Sequence, residues 1–181
     1  MVNLAKNGKR VVRLKGGDPM IFGRAGEEIE ACRAAGIAVE IVPGITAAQG
    51  AASRLGISLT HRERARRVQY ITGHDSAGAL PSDIDWRGLS DPATTTVIYM
   101  PAKTLGALVS KAIERGLDAA TPAIAVVDAT RPNQETIAAS IAELPRRLAQ
   151  AALKGPTLVI VGRICDDLVT RTLLSVDRAA S

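Results

Sequence analysis

Aromatic residues are scarce in this chain: one Trp, two Tyr and one Phe among 181 residues. So few rings exclude the stacking platforms on which single-stranded nucleic acid is read. Cysteine is scarcer still. Cys32 and Cys165 are too few and too far apart for a disulfide framework or a metal knuckle, so no metal site is expected. The longest apolar runs fall far short of a membrane span, and no signal-peptide pattern precedes them. Together these absences point to a protein of a reducing cytoplasm that binds neither nucleic acid nor membrane. What the chain does have is alanine and aliphatic residues in quantity, enough for one large domain or two small ones.

Charge is the second feature present. Lys and Arg number 23 against 18 Asp and Glu, a net +5. The densest basic run is His61-Arg62-Glu63-Arg64-Ala65-Arg66-Arg67. Arg64, Arg66 and Arg67 read as a solvated linker face. A polycarboxylate ligand would account for a basic cleft as well as nucleic acid would, which leaves a nucleic-acid module as the remotest reading.

The stretch that organises the rest is RLKGGDPMIFGR over residues 13–24. A β-branched run at 10–14 reads as a buried strand and stops at two glycines, an acid and a proline. Paired glycines permit positive φ and leave room for a ligand against the main chain. Asp18 stands where such a strand opens into a crevice. On chemistry alone, an ordinary strand-to-helix turn and a ligand loop are evenly matched.

Onward, helix signals cover residues 26–36, a short strand 39–42, and a second helix that opens after Pro43-Gly44, where Thr46 and Gln49 have capping-box spacing. Residues 58–67 read as a hinge. Strands follow at 68–72, 94–100, 122–127 and 157–161, with an edge strand at 135–140. Residues 75–93 read as a loop. Helices are expected from Leu105 to a terminator at Gly116 and over 144–153, and a loose tail beyond Arg171. Alternating strands and helices give an α/β protein with mainly parallel sheets. The break near residue 62 separates residues 1–62 from 63–181.

Residues 13–28, RLKGGDPMIFGRAGEE, closely resemble the signature loop of the uroporphyrinogen-III C-methyltransferases, tetrapyrrole methylases that use S-adenosylmethionine. Three further stretches fall in that family's order: VPGITAA at 42–48, GISLTHR at 56–62 and ITGH at 71–74. The resemblance runs from about residue 8 to about residue 164. It implies a two-lobed fold with the cofactor folded between the lobes, and a homodimer. It implies C-methylation of uroporphyrinogen III to precorrin-2 for siroheme or cobalamin synthesis. A methylase of a later precorrin and a non-catalytic remnant that binds cofactor or tetrapyrrole are the alternatives.

Carried over position by position, the resemblance implies cofactor contacts at Gly16, Gly17, Asp18, Ile21, Thr46, Ala47, Met100 and Ala129. Asp18 would meet either a charged amino group or a ribose hydroxyl. Thr46 can also be a plain helix cap, and Met100 plain core filler. Ala129 replaces a usual glycine, Met20 a phenylalanine and Ala25 a glycine. For the substrate the implied residues are Arg24, Glu27, Arg62 and His74; a shielded Arg–carboxylate bond contributes ~1.5–3 kcal/mol. Arg24 has a plainer reading as an exposed ion pair with Glu27, worth ~0.3–0.5 kcal/mol. The family's GAGPGDP-like loop, and an acid and a lysine for proton handling, precede the region matched here. The resemblance therefore implies an incomplete first lobe with an exposed apolar sheet edge and face, poor solubility or abnormal association, and no proton-transfer residue is assigned.

Overall fold

A computed structural model describes residues 1–171; the tail expected beyond Arg171 lies outside the described residues. The chain falls into two compact units, Met1 to Ala47 and Ala48 onward. Residues 58–67 lie in the second.

In the first unit, α1 (Val2–Lys6) buries nothing, and α2 (Ala25–Ala34) buries Ala25 and Cys32. Glu27 and Glu28 occupy the first turn of α2 and Arg33 the last, each sign suited to its end of the helix dipole. The strands expected at 10–14 and 39–42 are not formed. Among the described residues, no backbone–backbone hydrogen bond involves 10–15 or 38–43. Val12, Leu14 and Val42 stand exposed, Leu14 by 81%. The cause is physical: β-branched composition favours an extended chain only where a neighbouring strand takes its amides.

The second unit begins with α3 (Ala47–Leu55), shared at its first residue with the first unit. Its sheet comprises β1 (Arg67–Thr72), β2 (Thr94–Tyr99), β3 (Pro122–Val127), β4 (Glu135–Ser140) and β5 (Thr157–Val161), in spatial order β1-β2-β5-β3-β4. Only β1 and β2 pair in parallel; β2–β5, β5–β3 and β3–β4 are antiparallel. Where mainly parallel pairing was expected, the sheet is mixed. The connection from β3 to β4 is too short for the crossover that a parallel pair requires. A short helix, α4 (Trp86–Ser90), interrupts the expected loop; Asp85 caps it by accepting from Gly88 N at 3.0 Å.

Strands β2 and β5 are buried along their whole length. On one face Ile98, Ala125, Val159 and Val161 join a core with Leu105, Leu108, Val109 and Ala112 of α5 (Leu105–Glu114) and Leu144 of α6 (Leu144–Ala151). The spacing i, i+3, i+4, i+7 on α5 is the stripe that the sequence expects. No helix among the described residues is long and apolar enough to cross a membrane.

Candidate functional site

In the first unit the loop 16–24 is closed by side chains at both ends. Lys15, 12% exposed, donates from Nζ to Gly23 O at 2.5 Å and pairs with Glu28 at 2.6 Å. Arg13 Nε reaches the same carboxylate at 3.2 Å. Lys15 first, then Arg13, holds the Glu28 carboxyl below the usual range. Gly17 takes φ 75, and a Cβ on Gly16 would meet nothing within 4 Å. The main chain is therefore bare where a ligand can lie against it.

Asp18 is committed to backbone. Oδ1 accepts from Met20 N at 2.7 Å and Oδ2 from Gly44 N at 3.1 Å. The carboxylate ties the loop to the turn that carries buried Thr46 and half-buried Ala47. Each oxygen keeps a second lone pair with which to accept from a ligand. Ile21 is half-buried. Arg24 pairs with Glu27 through Nε at 3.0 Å and Nη2 at 2.5 Å, both residues exposed. The hydrogen-bonded guanidinium lowers the Glu27 pKa, and Glu27 raises that of Arg24.

In the second unit, β3 is antiparallel to β5 and β5 to β2, so β3 runs with β2 and β1. The loops carrying His74, Met100 and Ala129 thus leave the same edge of the sheet, the carboxyl ends where ligands of open α/β sheets bind. Gly73 N donates to Tyr99 O at 2.6 Å. A Cβ at Gly73 would stand 2.5 Å from Pro101 Cα, so glycine alone fits the approach. The next carbonyl, Met100 O, is met by His74 Nδ1 at 3.1 Å. A carbonyl only accepts, so Nδ1 carries the proton in this contact. Met100 N donates to Thr157 O at 3.1 Å and Asp128 N to Pro156 O at 2.9 Å, so adjacent residues leading into β5 hold both loops. Met100 is 42% exposed and is not core filler. Tyr99 Oη accepts from Ala48 N at 3.2 Å, in the first turn of α3.

Arg62 stands apart. It lies in the turn closed by the His61–Ala65 bridge, and among the described residues it makes no ion pair and touches neither His74 nor Met100 through a hydrogen bond. His61 serves that turn, Nδ1 accepting from Glu63 N at 3.2 Å. Arg67, expected on a solvated linker, instead opens β1 and pairs with Asp91. A hollow of about 810 Å³ in the first unit is not made by the 16–18 bend. Residues 9–15 and 37–42 line it, with Ala25, Glu28, Ile29 and Cys32 of α2. No metal-binding cluster occurs among the described residues.

Backbone conformation also sets these loops of the two units apart. Six non-glycine residues among those described have positive φ, and five of them (Phe22, Arg24, Met100, Asp128 and Thr130) sit in these loops. Such conformations cost on the order of 1–3 kcal/mol each and persist where surroundings over-determine them, chiefly at functional sites. Lys15 and Asp128 were not singled out from sequence, and Phe22 and Thr130 were placed only as an apolar lip and a loop residue, because no composition signal announces a left-handed backbone or a loop-closing Lys. Within the first unit, the bare main chain at Gly16 and the small side chain at Ala47 fit a nucleoside ligand such as S-adenosylmethionine, which needs close backbone approach.

The profile of the Tetrapyrrole (Corrin/Porphyrin) Methylases matches residues 1–145. A siroheme synthase of Azotobacter vinelandii is 48% identical over 164 residues, 91% of this chain and 35% of that protein. The chloroplastic S-adenosyl-L-methionine-dependent uroporphyrinogen III methyltransferase of Arabidopsis thaliana is 43% identical, over 92% of this chain and 45% of its own. The crystal structure of uroporphyrin-III C-methyl transferase from Thermus thermophilus complexed with S-adenyl homocysteine superposes with TM-score 0.75 at 31% identity, covering 90% of this chain and 70% of that one. The chain spans about a third of the siroheme synthases that it matches. On this match, and on the loops described above, the chain belongs to the tetrapyrrole methylase family.

Proposed function

We propose that this chain binds S-adenosylmethionine and serves the C-methylation of uroporphyrinogen III to precorrin-2, in a cytoplasmic homodimer. The observation that carries the reading is that five of the six left-handed non-glycine residues among those described lie in the loops where the resemblance implies cofactor contacts, at 16–24, 100 and 128–130. The residues proposed to hold the cofactor are Gly16, Gly17, Asp18, Ile21, Thr46, Ala47, Met100 and Ala129. When bound, S-adenosylmethionine supplies an electrophilic methyl group on its sulfonium.

The protein's own share is orientation. Holding a pyrrole carbon in line with the methyl group contributes roughly 7–11 kcal/mol. Lys15 and Asp18 rigidify the loop 16–24, so its amides do not have to be ordered when ligand arrives. His74 fixes the Met100 backbone through Nδ1 and offers Nε2 to the substrate. Arg24 and Arg62 are exposed cations suited to propionate and acetate carboxylates. For Arg24 this means exchanging Glu27 for a substrate carboxylate, a near-even trade in water.

Calorimetric titration with S-adenosylhomocysteine, followed by a methylation assay with uroporphyrinogen III, tests the proposal. Binding with turnover supports it in full. Binding without turnover reduces the chain to a cofactor-binding module, and no binding overturns the reading.

A further inference from the structure

One buried charge has no part in the motifs above. Asp128 directly follows β3, and its side chain is 7% exposed. Its backbone stands at φ 51, a conformation that surroundings must hold. Asp128 N donates to Pro156 O at 2.9 Å, and Asp128 O accepts from Arg131 N at 3.0 Å. The carboxylate accepts from Asn133 Nδ2 at 2.7 Å and from Arg131 Nη1 at 3.2 Å. Gly155 makes room for it, since a Cβ there would stand 2.7 Å from Oδ2. Among the described residues, every side-chain donor to Asp128 comes from its own loop. The buried charge therefore shapes that loop, where a buried ion without partners would cost several kcal/mol. Thr130 N closes the same loop by donating to Gln134 Oε1 at 2.7 Å. The Thr130 methyl group fills the space beside Gly50 of α3, where a Cβ would approach within 2.7 Å.

We infer that Asp128 is a positioning residue: its buried carboxylate folds residues 128–134 into the shape that presents Ala129 at the sheet edge and seats Thr130 against α3. The inference rests on the cofactor reading of that edge. Without Asp128 the loop loses the acceptor on which Arg131 and Asn133 converge, and Ala129 loses its fixed place.

The test compares Asp128→Ala and Asp128→Asn in the full chain, with Ile141→Val as a core control away from the loop. Asparagine tolerates left-handed φ and keeps one acceptor. Two readouts are taken: S-adenosylhomocysteine affinity by calorimetry, and amide exchange of residues 129–134 without ligand. Asp128→Ala is expected to weaken binding about tenfold, the loss of one charge-assisted hydrogen bond, and to speed loop exchange. Asp128→Asn restores most of both, and Ile141→Val lowers the melting temperature without changing affinity. Should Asp128→Ala fail to fold, Asn133→Ala removes one donor and carries the same expectation at about threefold. Equal affinity in Asp128→Ala and Ile141→Val, or unchanged loop exchange, overturns the inference. If the wild-type chain fails to bind, the cofactor reading falls, and the exchange measurement alone decides whether Asp128 shapes the loop.

Discussion

Residues 10–14 and β2 are both short β-branched runs, yet one lies open to water and the other is buried throughout. The contrast extends to the two units. Of eleven exposed large hydrophobic residues among those described, ten, from Met1 to Ile45, belong to the first unit, and Met100 to the second. The second unit satisfies its strands within itself, through a five-stranded sheet with α5 and α6 packed on it. The first is held mainly by polar clasps: Lys15 on Gly23 and Glu28, and Asp18 on Met20 and Gly44. Hydrophobic residues become a core only when a neighbour removes their surface from water. Polar clasps fix local shape without supplying that burial.

The largest expected effect sharpens this difference directly. Leu108→Ala, in the core at 1% exposure, should destabilise the second unit by about 2–5 kcal/mol. Leu14→Ala, at an exposed position, should change stability by less than about 0.5 kcal/mol. Thermal unfolding of the two variants checks the pair, and a comparable loss at Leu14 would break the comparison. Next in size, Lys15→Met removes the ammonium that closes the loop 16–24. It should weaken that loop by about 1–2 kcal/mol, read as faster amide exchange at residues 16–24 with β2 and β5 unaffected.

Smallest is the response to acid. Lys15 and Arg13 depress the Glu28 pKa, so its contribution is fully present above the ordinary carboxylate value of about 4.3. It is lost as pH falls through the lower value in the folded chain. Opening of the loop 16–24, read as exchange relative to the intrinsic amide rate at each pH, should therefore rise on acidification below about pH 4.3, and Glu28→Gln should flatten that rise. A loop whose opening ignores pH in both forms would show that the clasp contributes nothing.

Much of the second unit could be read from the sequence. The α5 stripe, the terminator at Gly116, and the runs 122–127 and 157–161 all carry a period that one buried environment imposes. The direction of β5 could not be read, because a β-branched run reports burial and not the strand beside it. In the first unit the runs 10–14 and 39–42 had the right composition and lacked a ladder, which is a non-local property. At the site, glycines and an acid at a strand end gave Gly16, Gly17 and Asp18 a chemical reason, although the hydrogen bonds of Asp18 to two backbone amides were not foreseen. Asp128 stayed hidden because its role depends on Arg131, Asn133 and Gly155 meeting it in space.

Hydrogen–deuterium exchange with and without S-adenosylhomocysteine tests the central claim most directly. Protection on adding ligand is expected at residues 16–18, 46–48, 100 and 129–130, with α6 unchanged. Protection centred instead on residues 9–15 and 37–42, or none anywhere, would contradict the assignment of those loops to the cofactor.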